Sequence, residues 1–152
     1  MLIPKSTARQ EKRDGVCGPF TAELLSDTGG LRQFGAFIET LPPGSSSSTL
    51  HWHAREDEMV HILTGTVTLV EGAVETPMHP GDTATFRAGV AVGHCLRNDG
   101  DAPVRYLVIG TRSGDDVVTY PLTGETLTIR DGTRTWRDAA GTVTRTAPYH
   151  GA

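Results

Sequence analysis

Cysteine is scarce in this chain. Two occur in 152 residues, Cys17 and Cys95. Their separation matches no metal-finger spacing, and one possible disulfide is no framework, so the chain reads as a reduced cytoplasmic protein that must stand on its own core. Aromatic residues make up only 6% of the chain. No apolar run reaches membrane-spanning length. The opening stretch "MLIPKSTARQEKRDG" lacks the apolar centre of a signal peptide. Positive charge is also short: charged residues are 21% and the formal net charge is -4, with no basic patch. Nucleic acid and anionic membrane are therefore excluded as expected partners.

What the chain has is glycine, threonine and β-branched residues, arranged in short segments between turn signals. "FGAFIETL" (Phe34–Leu41) is followed by "PPGSSSS", read as a mobile turn. Then come "TLHWH", "EMVHIL", "TVTLV", a turn at "HPGD", "TATFRA", "GHCLRN", "VRYLVIG", "VVTY" and "TLTIRDGTRTW". No useful window carries a 3.6-residue apolar period, although a short helix near "AELLSD" fits. Many short strands at regular spacing predict a single all-β domain, a sandwich or barrel. Residues 1–18 form an N-terminal arm, either loose or laid over a sheet edge or a neighbouring subunit. Residues 19–130 form the barrel, with 34–110 its best-defined part. Residues 131–152 add a C-terminal strand and a flexible tail, "APYHGA".

Chemistry concentrates in "HWHAREDEMVHILTG", His51 to Gly65. Side chains alternate along a strand, so His51 and His53 share one face and Trp52 takes the other. Glu58 opens the next segment and can return to the same interior, with Val60 and Ile62 on its face and His61 outward. A buried carboxylate beside two imidazoles is costly without a cation, and a divalent metal would turn all three into ligands. His94, sharing a face with Leu96, offers a fourth. Glu56 and Asp57 are rivals to Glu58 if the loop is read differently.

These residues resemble the cupin family. The first cupin motif is met by Gly44, six residues, His51-Trp52-His53, four residues, Glu58, six residues and Gly65. The second is met by Gly81, five residues, Arg87-Ala88-Gly89, four residues, His94, three residues and Asn98. Arg87 stands where the family's motif has proline, and the gap before His94 is longer than usual.

The resemblance implies a double-stranded β-helix, or jelly-roll barrel, with His51, His53, Glu58 and His94 holding one divalent ion, Fe, Mn, Ni or Zn. In some relatives the equivalent acid does not bind metal, so Glu58 is also the candidate general base. Phe37, Phe86 and Leu96 are expected to line a substrate pocket, with Arg87 at its mouth. The gap before His94 predicts a locally different turn, and Asn98 is expected to bond a loop backbone. Cys95 should face away from His94 as a small buried residue. Trp52, taken as exposed, predicts a homodimer built on the barrel's outer face. The leading functional expectation is a metal-dependent enzyme acting on a small molecule by isomerase, lyase, cyclase or dioxygenase chemistry. The alternative is a non-catalytic cupin that binds a small acid or sugar as sensor or carrier.

Overall fold

The computed structural model describes residues 1–149. The chain is built almost wholly from antiparallel strands: β1 (Arg9–Arg13), β2 (Phe20–Leu24), β3 (Phe34–Leu41), β4 (Trp52–His53), β5 (Glu58–Thr64), β6 (Val67–Glu71), β7 (Val74–Met78), β8 (Thr83–Phe86), β9 (His94–Arg97), β10 (Val104–Thr111), β11 (Asp115–Tyr120), β12 (Glu125–Arg130), β13 (Thr133–Arg137) and β14 (Val143–Pro148). One five-residue helix, α1 (Leu25–Gly29), follows β2 and closes on Gly30 in the left-handed region. This is the double-stranded β-helix expected from the sequence.

One wall is a six-stranded sheet ordered β1-β2-β3-β10-β5-β8. The opposite wall comes in two pieces, β7-β6-β9 and β14-β13-β12-β11-β4. An isolated antiparallel bridge between His51 and His94 joins them. The alternating pattern of β10 shows how the core forms. Val104, Tyr106 and Val108 are buried, while their neighbours are less so. Leu41 of β3, Val60 and Ile62 of β5, Val67 and Leu69 of β6 and Leu96 of β9 complete that cluster. Each such side chain removed from water contributes about 1.5–3 kcal/mol.

Four expectations need correction. The N-terminal arm is not loose throughout, because β1 pairs in full register with β2 and forms the sheet's edge. The candidate helix "AELLSD" is split: Ala22 to Leu24 belong to β2, and only the end is helical. The serine stretch after Pro43 is tied down by backbone bonds. Ser45, Ser46 and Ser47 donate to the carbonyls of Pro42, Cys17 and Leu96. The C-terminal segment extends the five-stranded sheet through β13 and β14. The end of the tail, from His150 onward, lies outside the described residues.

The motif glycines act as turn devices. Gly65 has φ of 82°, and a Cβ there would stand 3.0 Å from Val104 Cγ2 and 3.1 Å from the Pro103 carbonyl. Asn98 is fully buried. Its Nδ2 donates to the carbonyls of Leu41 and Ala102, and its Oδ1 accepts from the Gly100 amide. It bonds loop backbone, as expected. The longer gap before His94 is held by the Gly89 amide on the His53 carbonyl, with Gly89 at φ 77°.

Candidate metal centre

His51 reaches the site from the chain just before β4, His53 from β4 itself, Glu58 from the head of β5 and His94 from the head of β9. Donor atoms of His51, His53 and Glu58 all lie within 4.8 Å of one another. His94 joins them: its Nε2 is 3.9 Å from Glu58 Oε1, and its ring centroid is 4.8 Å from that of His51. His53 Nε2 is 4.0 Å from Glu58 Oε2. These separations are too long for hydrogen bonds. The donors surround a gap rather than satisfying one another.

The outer nitrogens of the rings are occupied, which orients the inner ones. His51 Nδ1 lies 3.0 Å from the Thr49 carbonyl and 3.0 Å from Ser48 Oγ. His53 Nδ1 lies 2.7 Å from Asp116 Oδ2. Asp116 is fully buried, and its Oδ1 accepts from the Arg55 amide. A carboxylate on the far nitrogen of an imidazole fixes the tautomer and sharpens its basicity toward a metal. His94 has the Val92 backbone as partner and stacks on Phe86, centroids 3.6 Å apart. Its Nε2 is buried with no hydrogen-bond partner among the described residues. An orphaned imidazole nitrogen aimed at a carboxylate and two other imidazoles fits a cation. Three histidine nitrogens and one carboxylate suit a first-row divalent ion with open positions.

The electrostatics agree. Burial, then the neighbouring histidines, lower His94 to about 3; burial and His53 lower His51 to about 4. Both rings are therefore neutral and ready to ligate at ordinary pH. His53 differs. Burial acts to lower it, but the Asp116 hydrogen bond and the carboxylates of Glu58, Asp116 and Glu56 outweigh burial and raise it. Burial raises Glu58, against the lowering influence of His53.

Beneath the cluster lies a cavity of about 170 Å³. His51, Glu58 and His94 form one end, and Phe37, Val60, Phe86, Leu96 and Val108 form the walls. Phe37, Phe86 and Leu96, the candidate pocket residues, are among these walls. Arg87 is not. It lines a second cavity of about 160 Å³ with Trp52, His53, Glu56, Phe86 and His94. Trp52 is half-buried there rather than exposed. Cys95 also departs from expectation: it is half-buried and contributes to the main cavity. His61 Nδ1 bonds Thr83 Oγ1 away from the cluster, and His79 lies near Thr66.

Sequence reasoning missed several groups. Asp116 stands 63 positions from His53, and only a paired acid before "VVTY" hinted at it. Glu56, named above only as a rival to Glu58, lies beside it, 3.8 Å from His53 Nδ1, as part of a second cluster with Asp116. Its Oε1 accepts from the Ser113 amide, so it belongs to the support of His53. Glu39 and Tyr106 line the main cavity and were not singled out. Their signal was period-two register with Phe37, Leu41 and Val108.

Comparison with known proteins agrees with this architecture. A Cupin domain family model matches residues 37–110. A solved structure of a sugar phosphate isomerase of the cupin superfamily, from Silicibacter pomeroyi, is 33% identical with a TM-score of 0.74, covering 95% of this chain and 92% of that one. Another, named provisionally as a sugar phosphate isomerase from Acidithiobacillus ferrooxidans, is 31% identical with a TM-score of 0.82, covering 90% of this chain and 89% of that one. A polyketide cyclase from Streptomyces resistomycificus shares the fold at 20% identity and TM-score 0.63, over 73% of this chain and 78% of that one. Comparison with curated protein sequences gives no match. The chain belongs to the cupin superfamily. Among the described residues, no helix is long and apolar enough to cross a membrane.

Proposed function

We propose that this cupin is a metal-dependent enzyme that isomerises a small oxygenated carbon compound, with His51, His53, His94 and Glu58 holding one divalent ion. The observation that carries the reading is the buried, unpartnered Nε2 of His94, facing Glu58 across 3.9 Å at the end of an apolar cavity. The similarity to two structures named for sugar phosphate isomerase activity favours isomerase over the other cupin chemistries.

A bound ion would polarise a substrate carbonyl or hydroxyl oxygen, which acidifies the adjacent carbon. The protein's own groups do the rest. Asp116 keeps the Nδ1 proton of His53 in place. Phe86 holds the His94 ring by stacking. Phe37, Val60 and Val108 exclude water, which strengthens each polar contact inside. The Glu58 carboxylate oxygen that does not hold the ion is the group placed to take a proton from one carbon and return it at its neighbour.

The test is interconversion of aldose–ketose pairs of three to six carbons, free and phosphorylated, in deuterium oxide. The expected result is turnover with solvent deuterium appearing at the carbon next to the carbonyl. Binding of such a compound without turnover would support the carrier reading instead.

A further inference from the structure

The main cavity has a second polar end. Glu39 of β3 and Tyr106 of β10 are cross-strand partners, and both are almost fully buried. The Tyr106 hydroxyl donates to Glu39 Oε1. Both side chains line the same cavity as His51, Glu58 and His94.

Sheet register separates the two ends. Tyr106 pairs with Ile62 on β5, while Glu58 lies four residues earlier on that strand, opposite Gly110. That offset is about 13 Å along the backbone. Phe37, Val60 and Val108 occupy the level between them. Along this sheet the cavity is therefore polar at both ends and apolar in its middle, while Ser47, Ser48 and Cys95 line it from other segments.

We propose that Glu39, oriented by Tyr106, is the distal anchor for the substrate and donates a hydrogen bond to a neutral oxygen on a short carbon chain whose other end reaches the metal cluster. This rests on the metal-site reading given above.

Three observations select that ligand chemistry. No lysine or arginine lines the cavity, so a distal carboxylate or phosphate would face Glu39 with only Arg13, outside the lining, to offset the repulsion. Glu39 carries no hydrogen bond on Oε2 among the described residues, since its bond to Tyr106 is through Oε1. Burial pushes its acid up to about 7, against the lowering influence of the Tyr106 bond, so the protonated form that can donate is populated near neutrality. The volume limits size: a cavity of about 150 Å³ admits a molecule such as benzene. A chain of four or five carbons fits.

The probes are pentanoate, 5-hydroxypentanoate and glutarate, with the four-carbon series butanoate, 4-hydroxybutanoate and succinate. Each is titrated by calorimetry into Co(II)-loaded protein, and the visible spectrum of the metal reports its own environment. The hydroxy acid should bind at least tenfold more tightly than its deoxy partner in one of the two series, with the diacid weakest. Glu39→Gln retains a donor and should keep most of that preference. Glu39→Leu should lose it while retaining metal content and the binding of the plain acid. If Glu39→Leu does not fold, Tyr106→Phe is used, which frees Glu39 and should reduce the preference. Metal-loaded wild type that binds the plain acids with less than twofold preference in both series overturns this inference and leaves the metal reading standing. An unchanged preference in Glu39→Leu or Tyr106→Phe does the same. Wild type that takes up no metal overturns both.

Discussion

His51 and His94 exchange both of their backbone hydrogen bonds, His94 N to His51 O at 2.9 Å and His51 N to His94 O at 3.3 Å. This bridge joins the two pieces of one barrel wall, and it sets their rings side by side. The fold's seam and the candidate metal centre are thus the same place. Two residues 43 positions apart (94 minus 51) are brought together by main-chain pairing, before any ligand contributes.

Asp116 should matter through His53. Asp116→Asn keeps the volume and a carbonyl oxygen but removes the charge that holds the Nδ1 proton. Metal affinity should fall about 10–100-fold, measured by competition with a chromophoric chelator, while the melting temperature of the metal-free protein changes far less. Unaltered affinity would mean that the 2.7 Å contact is only structural.

The metal-free protein should be acid-sensitive through His94. Its folded value is about 3, against about 6.5 when unfolded. A lowered value means the unfolded chain takes up the proton first. The stabilising contribution of the neutral ring is full above about 6.5 and fades as pH falls toward about 3. Compared with His94→Asn, metal-free wild type should lose stability steadily over that window in urea titrations. A constant difference between the two proteins would contradict the burial of His94.

Glu39 should give the opposite slope. Its folded value near 7 exceeds the ordinary 4.5, so the folded protein keeps a proton that the unfolded chain has lost. That contribution is full below about 4.5 and is lost as pH rises through about 7. Glu39→Gln cannot ionise, so its stability relative to wild type should grow with pH by on the order of 3 kcal/mol across the window. Denaturant midpoints at pH 4, 6 and 8 read this directly, and a flat difference would place Glu39 in a far wetter setting than the barrel interior.

Asn98 is expected to be structural only. Asn98→Ala leaves two carbonyls and one amide without partners inside the loops that close the barrel. The cost should be about 3 kcal/mol, roughly 1 for each lost bond. Metal stoichiometry in the folded fraction should not change. A stable variant that has lost its metal would instead tie Asn98 to the site.

Much of this was legible in the sequence for a local reason. His51, His53 and Glu58 lie within eight consecutive residues, and strand alternation puts both imidazoles on one face. His94 required the second motif, because the bridge to His51 is long-range. Asp116 and the pair Glu39–Tyr106 were not legible, since their roles depend on which strands become neighbours. "FGAFIETL" shows an acid in step with two apolar residues, but not the tyrosine across the sheet that bonds it. Trp52 was misjudged because alternation says which side of a strand a residue takes, not what covers that side. Arg87 is an exposed turn residue that borders the neighbouring cavity, and strand alternation does not extend to side chains in such a turn.

Metal content decides the central claim. Protein purified without added metal is reconstituted with Fe(II), Mn(II), Ni(II) or Zn(II), desalted, and assayed by elemental analysis beside His51→Ala, His94→Ala and a His61→Ala control. The convergence of three imidazoles and Glu58 predicts about one ion per chain for wild type and the control. It predicts a large loss for the two site variants, each still folded by circular dichroism. No uptake by wild type, or full occupancy after loss of His94, would show that the unpartnered nitrogen facing Glu58 is not a metal ligand.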